Sequence, residues 1–402
     1  MSKLPPEKLK RVREVFENAS NFYDAPPVIR DFWMRMAKEK VPHLFTQNLS
    51  WYGFHHAPYS TDTENADVII YGIGYDLNSS QEMGDTRHAP MYLRFASKYV
   101  PPVHGEWEMA PFEMCNIIDR GDIDKFSMEY NQSLEWDMNH ALEWSKNGAL
   151  PLRIGGDHEI LGGTMVTANM LADKYFPDQP MGVLMFDGHS DCFLPNDVGG
   201  YIDTEWVNGG GIPRAIYKGW VDPEMVFQFG MRGFGIDSPS GQYSAEQLGI
   251  TVVRPLDLET NGCQYYVDMI RERVGASPMV MTCDLDCLDP SQGGGTTQRD
   301  GFGMTFREVQ AISRSMKGLN LVAADICEYA PSHDDHGRST AYNVAALIFE
   351  YLCMLVDTKV RLNDGKFNQT HWHLNLSTSA SYPGSVFLER WEKEQAAKGG
   401  AP

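Results

Sequence analysis

The sequence predicts a three-layer α/β/α fold around a mostly parallel sheet. Short apolar, β-branched runs alternate with longer stretches of helical periodicity. Three of the apolar runs stop at clusters of Asp and His, the pattern expected at the carboxyl ends of parallel strands. The chain has 402 residues, 42% of them hydrophobic, which is enough for a sizeable core.

The strand candidates are residues 68–71, 152–154, 182–186, 225–229, 251–253, 279–282 and 321–325. Helical periodicity marks residues 126–144, 161–175, 265–274, 306–316 and 341–355. The organisation reads as a catalytic domain over residues 66–357 between two terminal segments. Residues 1–65, opening a helix after Pro5 and Pro6 and carrying Trp33, Phe45, Trp51, Tyr52 and Phe54, read as an extension packed on the core. Residues 358–402 read as a C-terminal arm.

The formal net charge is -20, which repels phosphate backbones and argues against a nucleic-acid partner. It also draws small cations, although acidity serves solubility in many enzymes. The charged N-terminal stretch lacks the apolar segment of a secretory signal. No uninterrupted apolar run approaches the roughly 18 residues of a membrane span. The seven cysteines are odd in number and scattered, which suits reduced thiols in a cytoplasmic protein rather than a disulfide framework.

The chemistry concentrates in three segments. The first, Gly155-Gly156-Asp157-His158-Glu159, follows one apolar run. The second, Asp187-Gly188-His189-Ser190-Asp191, follows another. The third is Asp284-Leu285-Asp286-Cys287-Leu288-Asp289-Pro290. Extended backbone sends residues i and i+2 to one side, so the alternating Asp and His side chains can converge. A single Asp-x-Asp after a strand is commonly a turn or a helix cap. Three such segments, each following a predicted strand, point instead to a shared metal site. Two imidazoles and four carboxylates suit manganese, nickel, cobalt, iron or zinc. Two such ions can hold a water between them and lower its pKa towards neutrality. Cys283 and Cys287 read as small buried hydrophobes, Asp289 as a supporting or turn-forming residue, and His371-Trp372-His373 as a packing or surface feature. No Gly-rich nucleotide fingerprint is present.

These three motifs, in this order, resemble those of the ureohydrolase family, which includes arginase and agmatinase. Arg87 and Pro90 fall at family positions in an opening loop, and Glu328-Tyr329-Ala330-Pro331 is similar to a later family segment. The resemblance implies an arginase-like fold, a homo-oligomer (trimer or hexamer), and hydrolysis of a small guanidinium compound to urea and an amine. It implies His158, Asp187, His189, Asp191, Asp284 and Asp286 as ligands of two divalent ions, nickel or manganese, with Asp187 and Asp286 bridging. Glu328 would clamp the guanidinium. Beside what the resemblance implies, Asp191 or, as the alternative, Asp289 is expected to help carry protons. The segment departs from the family pattern in two mild ways, Gly188 for Ala and Glu159 for Ser. A larger departure is Gly210, where arginases and agmatinases commonly carry a proton-shuttling His.

Residues 192–213 should roof the pocket. They contain no Lys or Arg, but they do contain Asp197, Asp203 and Glu205, plus Phe193, Tyr201 and Trp206. Trp206, Asn208 and Gly210 are therefore expected to meet substrate beside Glu328. A roof without cations disfavours a carboxylate tail and suits free guanidine or a short alkyl guanidine. The long N-terminal region resembles that of the guanidine hydrolase branch. An agmatinase-like enzyme and a non-catalytic partner subunit of a heteromeric ureohydrolase stay open as alternatives.

Overall fold

Eight strands form one sheet: β1 (Val68–Ile73), β2 (Ile117–Asp122), β3 (Leu150–Gly155), β4 (Met181–Phe186), β5 (Val221–Phe229), β6 (Thr251–Val253), β7 (Pro278–Asp284) and β8 (Asn320–Cys327). They lie in the order β2-β1-β3-β8-β7-β4-β5-β6, and every pairing is parallel. This is a computed structural model, and it describes residues 7, 8, 10, 26–38, 51–52, 59–77, 85–123, 130–194, 209–232 and 237–365.

The order explains where a site can form. Strands β8 and β7 lie between β3 and β4, so the chain crosses over them from one half of the sheet to the other, and then runs steadily outward from β4 to β6. Loops diverge at such a point and leave a crevice at the strand carboxyl ends. All three Asp/His motifs follow strands of this central group.

The central strands are buried along their whole length, as a parallel sheet covered by helices requires. That is why they read as unbroken apolar runs. Arg153 in β3 is the exception, a fully buried cation. It pairs with the carboxylate of Asp137 and donates to Ile160 O at 2.5 Å and to Thr164 Oγ1 at 3.0 Å. This pins the first turn of helix Ile160–Tyr175 immediately after His158. Helix Tyr130–Ser145 carries Asp137 and packs against Ile160–Tyr175.

Seven of the eight strands coincide with sequence expectations; β2 does not. It reads IIDRGD, with burial confined to its first half, and its pairing with β1 slips at Ile70/Tyr71. An edge strand buries too little apolar surface to announce itself. The short helices Ala89–Ser97, Pro111–Met114, Gly211–Tyr217 and Pro255–Asn261, and the polar helix Asp237–Leu248, were likewise not predicted.

Helix Ser339–Leu362 is long and apolar enough by composition to cross a membrane, yet it packs on β8, β1 and β3 and is mostly buried inside the fold. It is a core helix. The chain divides into two compact units. One comprises Gln47–Pro102 and Pro111–His371 and contains the sheet; there Trp51 N donates to Asp119 and Tyr52 N to Ser97 Oγ. The other comprises Met1–Thr46, Val103–Ala110 and Trp372–Pro402. Its described parts include helix Pro27–Lys38, whose Ile29 packs with Val103 and Ala110. His371 to His373, and the helix expected after Pro5-Pro6 apart from residues 7, 8 and 10, lie outside the described residues.

Candidate metal centre

The turn after β3 brings in His158. Gly156 makes this turn possible: a Cβ there would stand 1.8 Å from Tyr75 O, so any side chain is excluded. The turn is tied on both sides, with Asp157 N donating to Tyr75 O and Glu328 N to Gly156 O, each at 2.8 Å. The segment after β4 supplies Asp187, His189 and Asp191; Asp191 adopts φ 45°. Strand β7 ends on Asp284, and a short 3-10 turn, Leu285–Cys287, presents Asp286.

All six side chains meet in one cluster. His158 Nδ1 lies 3.0 Å from both Asp187 Oδ2 and Asp191 Oδ2, and 3.5 Å from Asp284 Oδ2. His189 Nδ1 lies 3.0 Å from Asp286 Oδ2 and 3.5 Å from Asp187 Oδ1. Asp187 thus stands between the two imidazoles, one oxygen towards each. Asp286 is placed on the His189 side only. Its other oxygen accepts from Gly188 N at 2.7 Å, and its backbone N–H donates to Asp284 Oδ1 at 2.9 Å. The bridging pair implied by resemblance therefore finds a spanning position for Asp187 but not for Asp286.

The electrostatics are those of an acid cluster short of positive charge. Burial first, then Asp286 and Asp191, push the Asp187 carboxyl up to about 6. Burial, Asp286 and Asp187 hold Asp284 well above the ordinary carboxylate range. Asp286 goes the other way: against the cost of burial, His189 beside it lowers its pKa to about 2. Burial disfavours the charged imidazole of His158, but hydrogen bonding to Asp187 and Asp191 outweighs it and raises its pKa. Crowded carboxylates that need cations, with imidazole nitrogens among them, are a donor set fit for divalent ions.

Both imidazoles are held from behind, as metal-binding histidines usually are. His158 Nε2 lies 2.9 Å from Thr282 Oγ1, and that hydroxyl donates to Asp325 Oδ1 at 2.6 Å. His189 Nε2 lies 3.2 Å from Asp300 Oδ2 and 2.5 Å from Gln298 Nε2. Arg232 braces this second arrangement by donating to the carbonyls of Asp286, Leu288 and Asp300. A Cβ at Gly188 would come within 3.0 Å of the Arg232 guanidinium and 2.9 Å of Asp286 Oδ1, which accounts for glycine at this position.

Sequence reasoning missed these supports. Thr282 precedes Asp284 by two residues on one strand, so the same alternation that finds the ligands points to it. Gln298, Asp300 and Arg232 sit in irregular segments with no such signal. Cys327 was also missed, and it lies beside His158 and Asp284.

Glu328 is buried next to the cluster in the left-handed conformation, φ 61°. Its Oε1 accepts from His158 N at 3.2 Å, while Oε2 has no hydrogen-bond partner. Burial, then the Asp157 and Asp286 charges, raise its pKa well above the usual range. A backbone strained in this way is seldom kept without a use for the side chain it aims.

Other expected residues fall as follows. Asp289 is a turn former, accepting from the N–H groups of Ser291, Phe302 and Gly303. Arg87 donates to Asp76 at 2.9 Å, and Pro90 opens helix Ala89–Ser97. Cys283 and Cys287 are buried, and all seven cysteines are unpaired. Gly210 precedes helix Gly211–Tyr217 with φ -104°, a conformation open to any residue. The glycine that is required is Gly209, at φ 81°, where a Cβ would strike Phe193. Trp206 and Asn208 lie outside the described residues.

A parallel α/β sheet whose central strand ends gather two imidazoles and four carboxylates defines a hydrolase-type site built for divalent cations. Comparison with known proteins makes this specific. The arginase family model matches residues 66–354. A guanidinopropionase from Pseudomonas aeruginosa is 31% identical over 308 residues, covering 77% of this chain and 92% of that protein. An agmatinase from Chromobacterium violaceum is 29% identical, covering 75% of this chain and 88% of that protein. Among solved structures, proclavaminate amidino hydrolase from Streptomyces clavuligerus superposes with a TM-score of 0.69 at 27% identity, covering 79% of this chain and all of that one. The chain belongs to the arginase family and is a hydrolase of carbon–nitrogen bonds in guanidino compounds.

Proposed function

We propose that this enzyme hydrolyses free guanidine or a short alkyl guanidine to urea and ammonia or an amine, with two divalent ions, nickel or manganese, held by His158, Asp187, His189, Asp191, Asp284 and Asp286. The observation that carries the reading is the meeting of these six side chains beside a buried carboxylate, Glu328, with one oxygen unpartnered. Bound ions would supply Lewis acidity and make a water nucleophilic near neutral pH.

The remaining work falls to the protein. Glu328 holds the guanidinium by charge-assisted hydrogen bonds and orients its central carbon towards the cluster. The Thr282–Asp325 and Gln298–Asp300 supports fix both imidazole rings, so ligand geometry does not drift as charge develops. Asp191, less buried than its neighbours, lies at the edge of the cluster and is suited to passing a proton to the departing amine.

Named relatives act on substrates with unlike tails, guanidinopropionase and agmatinase among them, so their names leave the tail open. The absence of Lys and Arg from residues 192–213 favours a substrate with no acidic tail. The unpaired thiols support a reducing compartment such as the cytoplasm. A homo-oligomer, trimer or hexamer, completes the reading.

The test is urea release from guanidine, methylguanidine, agmatine, 3-guanidinopropionate and arginine after separate loading with nickel and manganese. The expected order puts guanidine or methylguanidine first. Efficient turnover of agmatine with none of the two compact compounds would replace this reading by the agmatinase-like one.

A further inference from the structure

The His158 half of the cluster has a sulfur atom beside it, and the His189 half has none among the described residues. Strands β7 and β8 pair with Asp284 opposite Cys327. Along β8, Cys327 is two residues beyond Asp325, so it shares the face from which Asp325 supports Thr282 and His158. A donor atom from each of His158, Asp284 and Cys327 lies within 4.8 Å of the other two, and all three residues are buried. His158 also groups with Asp187 and Asp191, and the His189 half gathers Asp187, His189 and Asp286; neither of these groups holds a sulfur. Two donors on opposite sides of one ion stand about 4.4 Å apart, given metal–nitrogen and metal–sulfur bonds of about 2.1 and 2.3 Å.

Cys283 and Cys287 make a useful contrast. They are buried in the same region, yet neither falls into a group of potential ligands among the described residues. Cys283 precedes Asp284 on β7 and so projects to the opposite face. Cys327 rests 3.7 Å from Cys283 O, a weak sulfur contact that is readily exchanged for a stronger one.

We propose that Cys327 is a further protein donor to the ion on the His158 side, and that it biases this position towards nickel, cobalt or zinc over manganese and magnesium. Coordination forms a metal–sulfur bond and releases the thiol proton to solvent. Thiolate favours the softer ions, whereas an all-oxygen and imidazole set accepts the harder ones. The proposal rests on the metal-centre reading above.

The full chain is loaded with cobalt, and its spectrum is compared with that of Cys327→Val. Visible d–d bands report that cobalt is bound; a near-ultraviolet sulfur-to-cobalt charge-transfer band reports the thiolate. The expected result is both signals in the unchanged protein and only the d–d bands in the variant. Competition between equimolar nickel and manganese should then show the nickel preference falling about tenfold in the variant. Should the variant fail to fold, cobalt-edge X-ray absorption of the unchanged chain decides the matter by the presence of a sulfur neighbour at about 2.3 Å. Bound cobalt with no sulfur neighbour overturns the role of Cys327 and leaves the metal centre standing. Failure of the chain to retain cobalt at all overturns the metal-centre reading, and this inference with it.

Discussion

The His158 and His189 flanks of the cluster offer similar donors but are held in different ways. His158 is braced from within the sheet: Thr282 on β7 and Asp325 on β8 are both fully buried, and the adjacent turn is tied to Tyr75 and Glu328. His189 is braced from a loop, through Gln298 and a 28% exposed Asp300, with Arg232 gripping three carbonyls of that loop region. The contrast separates two tasks. On the proposed reading, the inner flank sets geometry and carries Glu328 as the partner of the guanidinium. The outer flank is secured through a loop, so its supports lie outside the sheet.

Removing the Glu328 charge sharpens this division most. Glu328→Gln keeps size and the strained backbone, so both ions should stay bound while kcat/KM falls by about 100-fold or more, a loss of a few kcal/mol in a desolvated ion pair. Metal analysis beside steady-state kinetics checks it; an unchanged kcat/KM would remove Glu328 from the substrate.

The two supports are then compared directly. Thr282→Val deletes the hydroxyl between His158 and Asp325 at nearly constant volume. It leaves a buried carboxyl short of a partner, at a cost of about 1–3 kcal/mol in stability. Metal affinity on that flank should weaken by about 10–100-fold. Asp300→Asn, on the loop, should change stability by no more than about 0.5 kcal/mol and weaken metal binding by about tenfold or less. Denaturant unfolding and metal titration of both variants read the difference. Equal effects would break the distinction between the flanks.

A smaller effect is the sign of the pH response. Without metal, the folded chain raises the pKa values of His158 and His189, of Asp187 to about 6, and of Asp284. It therefore binds more protons than the unfolded chain in mildly acidic solution. The stripped protein should gain stability as pH falls from about 8 to about 5.5, because the histidine contributions are lost only as pH rises through their folded values and the Asp187 penalty is relieved near 6. In the loaded protein, protons compete with ions for the same atoms, and stability should fall over that window. Thermal melts of both forms at several pH values check the opposite slopes.

Much of this arrangement was legible because two kinds of regularity coincide in the central strands. Unbroken burial made β3, β4, β7 and β8 visible as apolar runs, and alternation along extended backbone placed the Asp and His residues that follow on one side. Where either regularity lapses, sequence reading fails. The edge strand β2 buries only half its length, and the supports of His189 come from loop residues whose spacing carries no period. Thr282 was readable in principle but hidden, because a threonine in a strand looks like ordinary β-propensity. Cys327 was hidden for a similar reason, as one more apolar residue at a strand end. Gly210 reads in the sequence as the departure from the family pattern, whereas the backbone constraint in this loop belongs to its neighbour Gly209.

The central claim is that six side chains hold two ions, and counting ions tests it most directly. The chain is loaded with nickel or manganese, freed of excess metal, and analysed for elemental content beside Asp284→Asn, which removes one charged donor while keeping its shape. The account predicts two ions per chain in the unchanged protein, and a clear loss of metal together with loss of urea release in the variant. An unchanged protein that retains no metal, or a variant that keeps two ions and a normal rate, would contradict it.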